Sequence, residues 1–165
     1  MSERPPIVLI GPMGAGKTRM GKRIARRLGT GFTDTDAVIV AEHGPIATIF
    51  AEHGEPYFRA LERAAVTRAL SGGDVVALGG GAVLDPQTRS ELAGHRIALL
   101  TVSAEAVAPR LDGGKRPLIA DGIEDWKRIY AERRAIYEEL AGARFDTSFR
   151  RADDVVEEVV AWATT

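Results

Sequence analysis

Hydrophobic and polar positions along the chain follow two alternating patterns. The short apolar runs Ile7-Val8-Leu9-Ile10, Val75-Val76-Ala77-Leu78 and Ile97-Ala98-Leu99-Leu100-Thr101-Val102 have the length and continuity of strands buried on both faces of a parallel sheet. Phe32-Thr33-Asp34-Thr35-Asp36 reads as a short strand whose alternation puts Asp34 and Asp36 on one side, and Phe145 with its neighbours makes a last strand. Between these runs, spacings of three and four mark helices. The first carries Met20, Ile24 and Leu28, and two short ones carrying Ile39, Ile46, Ile49 and Phe50 are broken at Gly44-Pro45. A longer helix over 56–70 buries Phe58, Leu61, Ala65 and Ala69, and Asp85-Pro86 caps another that runs to 93. Ser103 caps a short helix through Val107 and Leu111. The strongest period lies over 124–140, through Trp126, Ile129, Ile136, Tyr137 and Leu140, and a helix over 152–162 closes the chain. Strands alternating with helices predict an α/β fold of three layers, αβα, around a parallel sheet of about five strands.

Composition narrows the picture. A length of 165 residues predicts a single domain over 1–165. A net charge of −1 argues against nucleic acid as a partner, and the lack of cysteine removes disulfides, thiolate metal sites and thiol nucleophiles. The N-terminal residues lack the apolar region of a signal peptide, and no apolar run approaches a membrane span, so a cytoplasmic protein without a membrane partner is expected. A monomer is expected from the small size.

The candidate chemistry starts at Gly11-Pro12-Met13-Gly14-Ala15-Gly16-Lys17-Thr18, between the first strand and its helix. Glycines at 11, 14 and 16 let the backbone wrap so that the N–H groups around Gly14, Ala15 and Gly16 point at an anion, and the following helix N-terminus adds its dipole. Lys17 is placed to meet the β- and γ-phosphates of a nucleotide, and the Thr18 hydroxyl to complete a magnesium site. Asp34 and Asp36, at the carboxyl end of a neighbouring strand, could hold the metal through water and meet an acceptor hydroxyl; a solvated turn is the plainer alternative. Arg59 and Glu62, three apart on one helix, read by themselves as an ordinary surface ion pair. Arg133 lies in register with Ile129, Ile136 and Leu140 and therefore points to the interior or a cleft, where it needs a counter-charge from a bound carboxylate or an internal acid. Arg134 is turned toward solvent. Three glycines in a row, Gly79-Gly80-Gly81, at a strand end mean backbone exposed to something. The glycine-rich, basic stretch with Lys115 and Arg116, within a lid over about 112–123, has the composition of a loop that closes over a nucleotide. His43, His53 and His95 have no ligand spacing and receive no role.

Together these blocks resemble shikimate kinase. The resemblance rests on the loop at 11–18, Asp34-Thr35-Asp36, Ile49-Phe50 followed by Gly54-Glu55 and Phe58-Arg59 with Glu62, Leu78-Gly79-Gly80-Gly81-Ala82, Arg116-Pro117-Leu118, and Arg133 four before Tyr137. It implies transfer of the ATP γ-phosphoryl group to the 3-hydroxyl of shikimate, in the route to chorismate and the aromatic amino acids. By matched position it implies that Lys17 and Thr18 hold phosphate and Mg2+ with Asp34 in the metal's outer shell. It further implies that Asp36, Arg59, Gly80 and Arg133 contact shikimate, that Arg116 reaches the phosphates, and that Arg110 packs on adenine. Arg19 after the phosphate loop, and Ala135-Ile136 where the family often has proline, depart from the common pattern away from this chemistry. A kinase of another small hydroxy acid such as gluconate, and a nucleotide-dependent regulatory module, are the alternative readings.

Overall fold

The computed structural model describes residues 7–111 and 122–165. Its sheet is built from β1 (Ile7–Ile10), β2 (Phe32–Asp34), β3 (Val75–Ala77), β4 (Arg96–Thr101) and β5 (Ala143–Asp146), in the order β2-β3-β1-β4-β5. All neighbouring strands are parallel. The apolar runs make the centre of the sheet, where both faces are covered. Ile7 and Leu9 join the layer formed with α1 (Lys17–Leu28) and α8 (Ala152–Ala163), while Val8 and Ile10 face α4 (Glu55–Leu70) and the end of α7 (Ile123–Leu140). The three-layer αβα expectation therefore holds.

Local chemistry sets the element ends. At α1, Gly21 allows the helix to lie on β2, because a Cβ there would stand 2.2 Å from the Phe32 ring. Gly29 ends α1 in the left-handed region, with its amide on the Arg26 carbonyl and that of Thr30 on Ala25. On the other side of the sheet, α2 (Thr35–His43) and α3 (Ile46–His53) pack on α4 through Ile39, Ile49, Phe58 and Ala65. α5 (Pro86–Leu92) is capped by Asp85, whose carboxylate accepts from the Gln87 and Thr88 amides.

Three expectations are corrected. The second strand stops at Asp34 instead of continuing to Asp36, because the Asp34 carboxylate accepts from the Ala37 amide and starts α2 at Thr35. Asp36 thus belongs to the first turn of a helix, and strand alternation does not relate it to Asp34. The helix expected from Ser103 to Leu111 is α6 (Ala104–Val107), continued only as a tighter 3-10 turn over Ala108–Arg110 containing Pro109. A further 3-10 turn, Ala82–Leu84, follows the triple glycine.

Candidate active site

The site lies where β1 sits between β3 and β4, at the carboxyl ends of the strands, the crevice in which parallel sheets of this kind bind ligands. The phosphate loop leaves β1 through Gly11, where a Cβ would stand 2.3 Å from the Leu100 carbonyl oxygen, and a Cβ at Gly14 would stand 2.5 Å from Val107. Both glycines have positive φ, so no other residue takes these positions without strain.

The loop's carbonyls are held by side chains from around the molecule. Lys17 Nζ donates to the Gly11 and Pro12 carbonyls at 2.6 and 3.1 Å, and the Trp126 indole to Met13 at 2.8 Å. Arg110 donates to Gly14 at 2.8 Å, and the Thr147 hydroxyl to Ala15 at 3.0 Å. A peptide whose carbonyl is tied outward turns its N–H inward. The amides of Gly14 and Gly16 have no protein acceptor among the described residues, which leaves a concave set of donors suited to a polyphosphate. Beside the loop, the Thr18 hydroxyl donates to Asp34, which joins two oxygen donors at one edge. This pair fits a hard cation that takes one or two protein oxygens and completes its shell with phosphate and water. Among the described residues no group of three or more His, Asp or Glu is placed to hold a metal unaided.

Next to the loop a cavity of about 400 Å³ is lined by Met13, Asp36, Phe58, Arg59, Glu62, Gly80, Gly81 and Arg133, with Val40, Pro45, Ile46, Ala47 and Phe50 on the α2–α3 side. The triple glycine organises it. A Cβ on Gly79 would stand 2.5 Å from Asp36 Oδ1, one on Gly80 3.2 Å from an Arg133 guanidinium nitrogen, and one on Gly81 2.4 Å from that of Arg59. Each glycine therefore seats one charged side chain, delivered by α2, α7 and α4 respectively.

The charges are unequal: Glu62 and Arg133 are buried, Asp36 and Arg59 half-buried. Asp36 Oδ1 is buried with no hydrogen-bond partner. Burial first, and then Asp34, raise its pKa, against the pull of Lys17 and Arg59. It thus feels the phosphate loop and the acceptor cavity together.

Glu62 is only 3% exposed, so the Arg59–Glu62 pair, expected at the surface, joins a half-buried arginine to a buried carboxylate at 2.8 Å. Burial pushes Glu62 up to about 7 although Arg59 opposes it. Arg59 also meets Glu55 at 3.2 Å. Arg133 is 7% exposed and, among the described residues, has no carboxylate within ion-pair distance. Its neighbour Arg134 is exposed and paired with Glu138 at 3.2 Å, as its register predicts.

Arg110 touches the phosphate loop through Gly14. The lid residues Lys115 and Arg116 lie outside the described residues. Sequence reasoning gave no site role to Trp126, Tyr137 or Thr147. Trp126 carries only the signal of a helical apolar stripe, Tyr137 that signal and its place four after Arg133, and Thr147 carries none.

A glycine loop with lysine and threonine, facing a cavity of carboxylates and arginines across one half-buried aspartate, defines a P-loop phosphotransferase acting on a small anionic acceptor. The family model for shikimate kinase matches residues 13–164, and the chain belongs to that family. It is 42% identical over 160 residues to a shikimate kinase of Streptomyces avermitilis, covering 94% of each chain. The structure of shikimate kinase from Acinetobacter baumannii in complex with shikimate superposes with a TM-score of 0.92 at 30% identity, covering 98% of this chain and 94% of that one. A gluconokinase from Sinorhizobium meliloti shares the fold with a TM-score of 0.65 at 20% identity, covering 99% of this chain and 94% of that one.

Proposed function

We propose that the protein transfers the γ-phosphoryl group of ATP to the 3-hydroxyl of shikimate, giving shikimate 3-phosphate and ADP on the route to chorismate and the aromatic amino acids. The observation that carries this reading is the seating of Asp36, Arg133 and Arg59 on three consecutive glycines around a cavity that opens beside the phosphate loop.

Arg133, which among the described residues has no carboxylate within ion-pair distance, and Arg59, which meets Glu55 and a Glu62 whose pKa burial raises to about 7, provide two cations for one carboxylate ligand. The acceptor hydroxyl then lies toward Asp36 and the loop. Its oxygen attacks the γ-phosphorus, the bond from that phosphorus to the β,γ-bridging oxygen breaks, and ADP leaves. The hydroxyl proton passes to Asp36, whose raised pKa suits it to accept one. Lys17 and the inward amides of the loop stabilise charge on the phosphoryl oxygens. Mg2+ held by Thr18, with Asp34 behind it, neutralises phosphate charge when bound. Arg116 is assigned to the γ-phosphate, and Arg110 to the adenine, by matched position. The protein acts as a cytoplasmic monomer in this reading, and among the described residues no helix is long and apolar enough to cross a membrane.

The test is a coupled ADP-release assay with shikimate, with gluconate and with no acceptor. ADP release that depends on shikimate is the expected result. Equal turnover with gluconate, or turnover indifferent to any acceptor, overturns the reading.

A further inference from the structure

Tyr137 is 1% exposed, and its ring packs with Val8, Ile10 and Leu78. Packing accounts for the ring but not for a hydroxyl in that position, since a buried hydroxyl needs partners. Here it donates to the Gly80 carbonyl at 2.5 Å, with the Arg133 guanidinium beside the same glycine. Burial pushes its pKa up to about 12, so the donated proton stays on the oxygen throughout the neutral range.

The rest of the glycine segment is also tied. The Gly79 amide donates to Thr35 Oγ1 at 3.2 Å, and the Gly79 carbonyl accepts from Ala82 at 3.0 Å. What is left are the N–H groups of Gly80 and Gly81, which have no acceptor among the described residues, on two glycines that line the acceptor cavity. A peptide between two glycines has little steric resistance to inversion. Because the trans peptide is planar, holding the Gly80 carbonyl against Tyr137 fixes the Gly81 N–H on the opposite side.

We propose that the Tyr137 hydroxyl is a positioning group of the acceptor site. It locks the Gly80–Gly81 peptide with its N–H toward the cavity beside the Arg133 guanidinium, so that a backbone donor and a cation meet one acidic acceptor together. The proposal rests on the kinase reading and assigns it a residue that never touches substrate.

The test is the steady-state behaviour of Tyr137→Phe with shikimate and ATP varied separately. The shikimate KM is expected to rise about tenfold while the ATP KM stays within about twofold, the size of one lost hydrogen bond. An unchanged shikimate KM, or an equal rise in both, overturns the proposal. If the variant does not fold, amide exchange in the wild-type protein decides. The Gly81 N–H is expected to exchange freely without ligand and to be protected by saturating shikimate. Protection already present in the free protein means the peptide faces the other way and overturns the proposal. ADP release by the wild-type protein tests the kinase reading by itself, and Gly81 exchange in the free protein does not depend on it.

Discussion

The two ends of the cleft are built on opposite principles. The phosphate end is eight consecutive residues presenting backbone, with carbonyls from Gly11 to Ala15 tied by Lys17, Trp126, Arg110 and Thr147. The acceptor end presents chiefly charged side chains, carried by α2, α4 and α7 and brought together on the backbone of Gly79, Gly80 and Gly81. Backbone donors are the same whatever residue supplies them, so among the described residues the first end depends on conformation and on the Lys17 ammonium. The second depends on the identity of each charge, and burial makes each one consequential.

That contrast is tested most strongly at Lys17. Lys17→Ala is expected to lower kcat by about a thousandfold or more, because the transition state spreads charge that only fixed donors neutralise. Shikimate-dependent thermal stabilisation should persist, since the acceptor end is untouched. Loss of that stabilisation would show that the two ends are not separable.

Next comes Arg133→Ala, for which the shikimate KM is expected to rise about a hundredfold, the order of a lost charge-assisted hydrogen-bond pair, with the ATP KM unchanged. An equal effect on both substrates would make Arg133 a structural residue instead.

A comparable effect, on stability instead of rate, concerns Glu62. Its folded pKa of about 7 lies above the ordinary 4.5, so its favourable contribution is fully present below about pH 4.5 and is lost as pH rises through 7. The urea midpoint of the wild type relative to Glu62→Gln should therefore shift in the wild type's favour as pH falls from about 8 to 5, by on the order of 2–3 kcal/mol in stability. A difference that does not vary with pH would place Glu62 in water.

The same contrast decides what could be read before any coordinates. The phosphate loop is contiguous, and its spacing announces strand, turn and helix in order; the three buried strands were legible because an apolar run needs no partner to identify it. The acceptor end is non-local. Gly79-Gly80-Gly81 pointed to exposed backbone, but nothing along the chain says that α2, α7 and α4 each send one side chain there. Glu62 was placed at the surface because an i, i+3 spacing carries no information on what covers the helix, and α2 and α3 are what cover α4. The end of β2 was a near miss. Asp34 is a good helix cap, and its bond to Ala37 outweighed the alternation that continued the strand to Asp36. The stretch over 112–121, which holds the expected lid arginine, lies outside the described residues.

Trp126 gives the molecule an optical handle. The chain has two tryptophans, and the indole of Trp126 is hydrogen-bonded to the Met13 carbonyl, inside the loop that receives the phosphates, and stacked on Tyr130. Trp162 sits on α8, edge-on to Phe145. Replacing Trp162 with phenylalanine leaves one tryptophan whose emission reports the state of the loop, so nucleotide arrival can be timed in the unlabelled protein.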